Sequence, residues 1–380
     1  MLKICILSQD FPPLIGGIAA HVYELSKALE KLGNEVHVIV PRYPYNLKNE
    51  EIVEGLHVHR VFQIRKRFLS GNFYIPFGIM KLKSVIKKYR IDVVHYHSSY
   101  PESIITKFVK DIPVVFTLHE SGFLEMAEKK KYEKRLRFRI SHPDKIIGPS
   151  IELATIPTKF GVQKEKTIFI PNGVDPQKFS PLIDSSEIKK RHSLQGDLVV
   201  LCPRRLEPKN GVRYLVEALP AITKELNDVK FLFVGEGGYK TERKTLEEKV
   251  RKYGLTNKVI FTGDIPNQEM PKYFAASDIV VLPSLIEATS IAGLEAMASG
   301  KALIGTSVGG IPQIIDDGLT GIIVPPRDPE ALSIAILKLL KDDELRIKMG
   351  LNARKKVERE FTWDKIAQKT MEVYEEVMKC

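Results

Sequence analysis

The stretch LKICILSQDFPPLIGGIAAHVYELSKALEKLGNEVHVIVP, residues 2–41, decides the fold class of this chain. It opens with an apolar run of strand length, passes through a turn rich in Pro and Gly, and then places apolar residues at helical spacing. Gly33 and Asn34 end the predicted helix, and a second apolar run of strand length follows them. A strand, a helix and a second strand in this order are typical of a βαβ unit, in which the two strands lie parallel.

The same alternation continues outward from this unit and falls into two series. In the first series we predict further strands at 57–64, 91–97 and 113–120, and helices at 80–89 and up to Lys110. In the second series we predict strands at 198–204, 231–237, 259–266, 279–284, 302–307 and 321–326, and helices at 212–226, 245–254, 292–300, 329–342 and 344–361. The sequence therefore predicts an α/β protein of two doubly wound, Rossmann-like domains.

Turn residues at Pro171–Asp175 separate the two series, so we predict domains over residues 1–172 and 173–362. A last predicted helix, within residues 363–380, follows the complete second series, and its periodicity leaves open on which half it packs. In parallel sheets ligands bind beyond the carboxyl ends of the strands. The candidate functional residues are therefore those that directly follow each predicted strand.

Length and composition limit the class of protein. A chain of 380 residues with 43% hydrophobic residues has enough apolar surface for two cores, which excludes disordered and collagen-like classes. Cys5, Cys202 and Cys380 form neither a CxxC pair nor an even disulfide framework. No signal-peptide pattern and no run of about 18 apolar residues occurs. We therefore expect a soluble, cytoplasmic protein.

The net charge of +11 is unevenly placed along the chain. Residues 1–180 carry 28 Lys and Arg against 18 Asp and Glu, whereas residues 181–380 carry 30 against 29. The excess lies in two basic stretches, Arg60–Arg90 and Lys129–Lys145. Such a basic half indicates an anionic partner, namely a membrane surface, a phosphorylated substrate or a nucleic acid. A solvated, lysine-rich surface is the alternative, and the charge alone leaves both open.

Candidate residues in the first half follow predicted strands. Gly16 and Gly17 lie between a strand and its helix, where the backbone can approach an anion, although a tight turn alone would explain them. His119 lies at the end of another predicted strand, where its imidazole can hydrogen-bond a phosphate or a sugar hydroxyl. The alternative is a histidine with a purely structural role. His95 and His97 share a strand face that suits a metal ion. The sequence places no third ligand, so we expect no metal site.

Candidate residues in the second half combine cations with carboxylates. Arg204, Arg205 and Lys209 follow a strand and suit a diphosphate, with a charged loop as the alternative. Glu287 lies in the loop of VLPSLIEATSIAGLEAMASG, residues 281–300, and Glu295 lies in the helix that follows. An ionised carboxylate only accepts hydrogen bonds and so suits the vicinal hydroxyls of a sugar. The chain contains no G-x-G-x-x-G, no P-loop and no Asp-x-Asp sequence.

These residues stand in a wider pattern. Glu287 and Glu295 resemble the E-x7-E motif of the retaining nucleotide-sugar glycosyltransferases of family four, which include glycogen synthases and mannosyltransferases. Further stretches resemble blocks of that family in the expected order: FPPLIGGIAAHVYELSKAL, FTLHE, PNGVD, RRLEPKNG, VGEG, FTGDIP and GGIPQIIDDGLTGIIVPPRD. The resemblance implies a GT-B fold, in which two Rossmann-like domains face each other across a cleft and the last helix crosses back onto the first domain.

The resemblance also implies roles for individual residues. Residues expected to contact the donor diphosphate or the transferred sugar are Gly16, Gly17, His119, Arg204, Lys209, Glu287, Ser290 and Ile291. Residues expected near the nucleoside are Gly235, Gly237 and Glu295, with Glu295 on the ribose. The sequence R-R-L-E-P-K-N-G departs from the usual R-L-x-x-x-K-G, which leaves open whether Arg204 or Arg205 meets the diphosphate. Gln313 stands where a glutamate is frequent.

The function implied is retaining transfer of a hexosyl group from a nucleotide-diphosphate sugar, such as a UDP- or GDP-hexose, to an acceptor hydroxyl. We expect no cofactor and no metal, and a role in glycolipid, cell-envelope or glycan synthesis. The alternatives are a nucleotide-sugar 2-epimerase of the same fold and a non-catalytic sugar-nucleotide-binding subunit.

The basic first half, which faces the acceptor in a GT-B fold, indicates the class of acceptor. Aromatic and aliphatic residues interleave with the basic run from Arg65 to Arg90: Phe68, Phe73, Tyr74, Ile75, Phe77 and Ile79. We therefore expect a sugar, lipid-linked or phosphorylated acceptor and an anionic membrane surface, on its inner face, as partners. No nucleic acid is expected, because charge alone supports one.

Overall fold

The computed structural model describes residues 1–14, 16–63, 70–238, 240–288 and 290–379. The chain divides into two compact units, one of Met1–Gly173 with Trp363–Cys380 and one of Val174–Thr362. The sequence analysis divides the chain one residue earlier, between residues 172 and 173. Each unit is an α/β domain on a largely parallel sheet, and the predicted architecture of two Rossmann-like domains is confirmed.

The first unit is built on an eight-stranded sheet. Its strands are β1 (Lys3–Leu7), β2 (Glu35–Pro41), β3 (Glu50–Val53), β4 (Leu56–Val61), β5 (Val93–Tyr96), β6 (Val114–Thr117), β7 (Lys145–Gly148) and β8 (Thr167–Phe169). The order across the sheet is β3-β4-β2-β1-β5-β6-β7-β8. All neighbouring strands are parallel except β3 and β4, which form an antiparallel hairpin at one edge.

The helices of the first unit lie between these strands. They are α1 (Gly17–Lys31), α2 (Ser70–Tyr89), α3 (Glu102–Ile105), α4 (Ser121–Ala127), α5 (Glu133–Ile140) and α6 (Ile151–Thr155). The sequence predictions differ from this result at several places, and helix α2 begins at Ser70 instead of residue 80. Strand β3 was not predicted, because the two consecutive glutamates Glu50 and Glu51 leave no apolar run of strand length. The helix predicted up to Lys110 ends at Ile105 and passes into a 3₁₀ turn, Thr106–Phe108.

The second unit contains a six-stranded, fully parallel sheet. Its strands are β9 (Leu198–Cys202), β10 (Val229–Val234), β11 (Val259–Gly263), β12 (Ile279–Leu282), β13 (Ala302–Thr306) and β14 (Gly321–Val324), in the order β11-β10-β9-β12-β13-β14. Its helices are α7 (Ser186–Arg191), α8 (Val212–Glu225), α9 (Lys240–Lys252), α10 (Met270–Ala276), α11 (Ile291–Ala298), α12 (Ile311–Ile314), α13 (Pro329–Lys341) and α14 (Asp343–Glu360).

Both faces of this second sheet are buried, which explains why the sequences of its strands are continuous apolar runs. Along β9, Val200 and Cys202 belong to one apolar core, and Val199 and Leu201 belong to the core on the opposite face. Helices α8 and α13 pack on the first of these faces, and α10, α11 and α14 pack on the other. The central strands are thereby fixed, and their carboxyl ends carry the loops of the candidate site.

The last helix, α15 (Trp363–Met378), belongs to the first unit and packs against α1. Its buried apolar residues join the core of that unit: Trp363, Ile366, Ala367, Val373, Tyr374 and Val377. Gly173 is required where the helix begins, because a Cβ there would lie 2.6 Å from the ring of Trp363. None of the helices in the described part of the chain combines the length and the apolarity that a membrane span requires.

Candidate functional site

The loop after β12 is held by the loops that follow its neighbouring strands. The carbonyl oxygen of Lys209 accepts hydrogen bonds from the backbone N–H groups of Leu285 and Ile286, at 2.8 and 3.3 Å. On the other side Gly309 has a φ of +51°, and a Cβ there would lie 1.6 Å from the carbonyl oxygen of Glu287. Only glycine permits so close a backbone approach. The backbone of Glu287 is therefore fixed from both sides.

Arg204 and Glu287 meet at the start of α11. Nη2 of Arg204 donates to Oγ of Ser290 at 2.7 Å and forms an ion pair with Oε2 of Glu287. Their side chains are 12% and 14% exposed, so the pair lies at the rim of the core. Oγ of Ser290 also accepts from the N–H of Gly293 at 3.1 Å and so caps the helix. A buried guanidinium, a carboxylate and a helix N-terminus thus converge at one point.

One donor of Arg204 is still available. Its Nε is buried and has no hydrogen-bond partner among the described residues. A buried, unpaired donor is costly, so such a group commonly has a ligand as its partner. Arg205 differs, because its side chain is exposed and its carbonyl oxygen accepts from Nδ2 of Asn210 at 2.9 Å. The structure therefore brings Arg204, and not Arg205, beside Glu287 and Ser290.

Lys209 combines a fixed backbone with a mobile charge. Its side chain is 43% exposed, and its Nζ lies 3.5 Å from Oε2 of Glu207. Since the carbonyl of Lys209 is bonded to the loop after β12, the exposed amine remains in the neighbourhood of that loop. A lysine of this kind can contribute a positive charge to a bound anion without a fixed direction.

Glu295 lies in α11, the helix that begins at Ile291. Its side chain has no hydrogen-bond partner among the described residues, and burial raises the pKa of its carboxyl group to about 7. The positive charge of Lys178 acts in the opposite direction but is the smaller influence. Glu295 is therefore a carboxyl group with unused hydrogen-bonding capacity, one turn from the capped end of the helix.

The loop after β10 packs directly on the loop that carries Arg204. A Cβ at Gly235 would lie 2.8 Å from the carbonyl oxygen of Arg204, and one at Gly237 would lie 2.2 Å from that of Leu206. Between them, the N–H of Glu236 donates to Oδ1 of Asp264 at 2.9 Å. The two glycines are therefore required by close packing between strand-end loops.

In the first unit, Gly16 and Gly17 begin α1. Gly16 is the N-terminal capping residue, has extended backbone, and leaves open space where a Cβ would lie. No side chain of the described residues caps this end of the helix, and Gly17 is exposed. The first N–H groups of a helix have no carbonyl partner within it. An anion could therefore approach this end of α1 without displacing a side chain.

His119 lies after β6 in a cluster of histidines. Its Nε2 lies 3.0 Å from Nδ1 of His97, and its ring centroid lies 4.4 Å from that of His21. Burial lowers the pKa of His119 well below its usual value, so the imidazole is neutral at physiological pH. His95, by contrast, is held by the hydroxyls of Tyr374 and Thr117, both at 2.7 Å. His21 is not among the residues predicted from sequence, although a histidine on the apolar face of a predicted helix can indicate a functional position.

A buried polar group also lies beyond β1, β5 and β6, and the sequence analysis missed it. Nε2 of Gln9 donates to Oε1 of Glu102 at 2.5 Å, and Oε1 of Glu120 accepts from the N–H of Ser99 at 2.7 Å. Burial raises the pKa of Glu102 to about 8 and also raises that of Glu120. The Oε2 atom of each has no partner among the described residues. Two carboxyl groups with unused oxygens therefore lie at the carboxyl edge of the first sheet.

Comparison with known proteins gives two family matches that together span most of the chain. Residues 15–178 match the model described as glycosyltransferase family 4, and residues 184–356 match the model described as glycosyl transferases group 1. The first match lies almost entirely within the first unit, and the second match lies within the second unit.

Individual proteins agree with these matches. An uncharacterised glycosyltransferase of Methanocaldococcus jannaschii is 29% identical, over 100% of this chain and 99% of its own length. A phosphatidyl-myo-inositol mannosyltransferase of Mycolicibacterium smegmatis is 27% identical over 98% of this chain and 93% of its own length. The solved structure of sucrose-phosphate synthase from Thermosynechococcus elongatus has the same fold, with a TM-score of 0.84, 22% identity and complete coverage of both chains.

Proposed function

The chain belongs to the glycosyltransferases of family four, and we propose that it transfers a hexosyl group from a nucleotide-diphosphate sugar to an acceptor hydroxyl, with retention of configuration and without a metal ion. One observation carries the proposal: Arg204 is held at the start of α11 by Ser290 and Glu287 and keeps a buried, unpaired Nε. That arrangement offers positive charge and hydrogen-bond donors where a diphosphate requires both.

The reaction requires positive charge and hydrogen-bond donors near the departing diphosphate, and these residues supply both. When the nucleoside diphosphate leaves, negative charge accumulates on its β-phosphate, and the sugar becomes oxocarbenium-like. Arg204, the amine of Lys209 and the N-terminus of α11 can stabilise the departing charge. Removing one such buried donor commonly raises the barrier by about 2.7–4 kcal/mol.

The carboxyl groups of Glu287 and Glu295 act as hydrogen-bond acceptors in this proposal. Glu287 accepts hydrogen bonds from the hydroxyls of the transferred sugar, and Glu295 accepts them from a ribose diol. The neutral imidazole of His119 donates to or accepts from the sugar without adding charge. In the retaining mechanism the acceptor hydroxyl attacks from the face of the leaving group, and the departing phosphate takes its proton, so neither glutamate has to be a covalent nucleophile.

Replacement of one carboxylate tests the proposal. Glu287→Ala should reduce transfer by a factor of about 10² or more, because the donor sugar and Arg204 both lose their partner. Release of nucleoside diphosphate in the presence of acceptor measures the effect. Glu248→Ala, at an exposed carboxylate that lies 3.8 Å from Lys244, is the control and should leave turnover unchanged. Normal turnover by Glu287→Ala contradicts the proposal, as does conversion of the donor alone into another nucleotide sugar.

The first unit supports a membrane-associated acceptor. Large apolar side chains are exposed beside lysines on a surface that we call the aromatic–basic surface: Phe62, Phe77, Met80, Phe108 and Phe138, with Lys83 and Lys107. Three pairs among them are in contact: the ring centroids of Phe62 and Phe77 lie 6.2 Å apart, Lys83 lies over the ring of Phe108, and Lys107 lies over the ring of Phe138. Exposed apolar groups and cations together are typical of proteins that bind anionic membranes. We propose a lipid-linked or phosphorylated acceptor presented at such a surface.

This surface differs from the one that the sequence analysis describes. Tyr74, expected to be on it, is fully buried, because it lies on the core side of α2. Arg65 and Phe68 lie outside the described residues, as does the side chain of Phe73. Phe108 and Phe138, which extend the surface, come from separate parts of the chain and were not singled out.

Flotation with anionic vesicles tests the membrane proposal. The protein should float with the vesicles at low salt and remain behind at high salt. Replacing Phe77 and Met80 together by serine should abolish flotation. Replacing Ile334 and Leu351 by serine is the matched control, since these residues are equally exposed but lie in the second unit. Absence of flotation at either salt concentration contradicts the proposal.

A further inference from the structure

Three histidines from separate parts of the first unit meet at one place, which we call the histidine cluster: His21 of α1, His97 after β5 and His119 after β6. One ring nitrogen of each lies within 4.8 Å of a ring nitrogen of the other two. The ring centroids are 4.4 to 5.3 Å apart. His21 and His97 are buried, and His119 is partly exposed.

The hydrogen bonds of the cluster leave nitrogens unused. Nδ1 of His21 donates to Oδ1 of Asn172 at 2.9 Å, so its Nε2 carries the lone pair. That Nε2 is buried without a partner among the described residues. A buried polar atom without a partner is costly, so this nitrogen indicates a missing ligand.

The donor set, three imidazole rings around one place, favours a cation as that ligand. Neutral imidazole is a preferred ligand of Zn²⁺ and its neighbours in the first transition row, and a ligating histidine commonly donates its other N–H to an amide or carboxylate, as His21 does.

We propose that the histidine cluster binds one transition-metal ion of the Zn²⁺ type through a nitrogen of each ring, with the fourth position open. Tetrahedral Zn²⁺ with bonds of about 2.0–2.1 Å holds two ligand nitrogens about 3.3 Å apart. Nδ1 of His97 and Nε2 of His119 lie 3.0 Å apart, so a small movement accommodates the ion. His95 is not a ligand, because Tyr374 and Thr117 occupy both of its nitrogens.

A consequence for activity rests on the proposed function. If His119 contacts the transferred sugar, an ion that takes its nitrogen removes that contact, and Zn²⁺ inhibits transfer. The binding of the ion itself does not depend on the reaction. Binding and inhibition can therefore be measured separately.

The single tryptophan of the chain provides a local probe, because the ring of Trp363 lies 5.1 Å from the ring of His21. Titration of the full chain with Co²⁺ should quench its fluorescence and saturate at one ion per chain. Zn²⁺ should then displace Co²⁺ and restore the signal. His21→Gln and His97→Gln should each weaken binding at least tenfold. His192→Gln, in the second unit, is the control and should bind Co²⁺ as the wild type does.

Circular dichroism verifies that the variants are folded, and His119→Asn, at the partly exposed position, provides a third variant where burial makes the others unstable. Absence of quenching in the wild type overturns the proposal, and so does equal quenching in all folded variants. Binding of Zn²⁺ that leaves transfer unchanged supports the metal site and contradicts the role of His119 in the proposed function.

Discussion

Arg204 and Arg205 are adjacent in sequence but occupy different surroundings. Arg204 is held by Glu287 and Ser290 at the start of α11, whereas the side chain of Arg205 is exposed. The two arginines lie in the loop after β9, and only the side chain of Arg204 is directed at Glu287 and Ser290. The sequence leaves open which of the two arginines contacts the diphosphate, because it does not show the direction of either side chain.

Exchange of each arginine tests this difference. Arg204→Ala should lower the rate of transfer by about 10²–10³, because the departing diphosphate loses a buried donor. Arg205→Ala should change it by less than a factor of about three, since an exposed charge is screened by solvent. Steady-state release of nucleoside diphosphate measures both. Equal losses in the two variants contradict the assignment.

Glu295 gives the second unit a pH-dependent stability. Its pKa is about 7 in the folded protein, above the ordinary 4.5, because burial disfavours the charged form. The folded state therefore holds the proton more tightly than the unfolded state. Its contribution to stability is complete below pH 4.5 and is lost as the pH rises through about 7.

Glu295→Gln should remove this loss, since glutamine resembles the protonated acid. At pH 8 the variant should be more stable than the wild type by roughly 2–3 kcal/mol, and at pH 4 the two should be equal. Urea unfolding of both proteins at the two pH values measures the difference. A constant difference at both values would show that the effect is packing and not titration.

At the scale of elements, the candidate site depends on loops that contact one another through backbone. Gly309→Ala should be strongly destabilising, because the new Cβ meets the carbonyl oxygen of Glu287 and φ is positive. Gly318→Ala is the matched control, since Gly318 has a φ of +75° but has open space around it. The control should lose about 1–2 kcal/mol, and Gly309→Ala should lose more and also lose activity. Thermal unfolding and transfer assays measure the two effects, and equal losses of stability would contradict the contact.

A buried hydrogen bond links helix α15 to the first sheet. The hydroxyl of Tyr374 lies 2.7 Å from Nδ1 of His95. Tyr374→Phe leaves that nitrogen unpaired in the core and should cost about 1–3 kcal/mol. Tyr214→Phe is the control, since its hydroxyl makes no hydrogen bond to a described residue, and it should be nearly neutral. Denaturant unfolding measures both, and an equally small change in Tyr374→Phe would contradict the role of the bond.

At the scale of the whole molecule, net charge and the candidate diphosphate site are separated along the chain. The basic excess lies in residues 1–180, whereas Arg204 and Lys209 lie in the nearly neutral remainder. Net charge alone therefore does not indicate the half that carries the candidate diphosphate site. The two sets of cations also differ in exposure, so we expect them to respond differently to salt.

Raising the ionic strength from about 0.05 to 0.5 M should release the protein from anionic vesicles, because the exposed lysines of the aromatic–basic surface are screened. Binding of the nucleotide sugar should weaken much less, since the side chain of Arg204 is 12% exposed and is screened less. Flotation and calorimetry of donor binding measure the two responses. Parallel loss of both would contradict this division of charge.

Much of the fold could be predicted from sequence, because periodicity reports directly on burial. The apolar runs of β5, β6 and β12 are buried along their whole length, and the apolar spacing of α8 and α13 faces the sheet. Strand β3 escaped prediction because it is a polar edge strand. The short α3 was predicted as longer, since the apolar pattern continues past the residues that form it.

The two α/β series, the strand-end positions of the candidate residues and the family resemblance follow from the amino-acid sequence alone. The contact of Arg204 with Glu287, the burial of Tyr74 and the meeting of His21 with His97 and His119 depend on the folded structure. The physical reason is that periodicity reports which face of its own element a residue occupies. Contact between residues distant in sequence follows from strand order, here β2-β1-β5-β6, which brings the ends of β5 and β6 together beside α1.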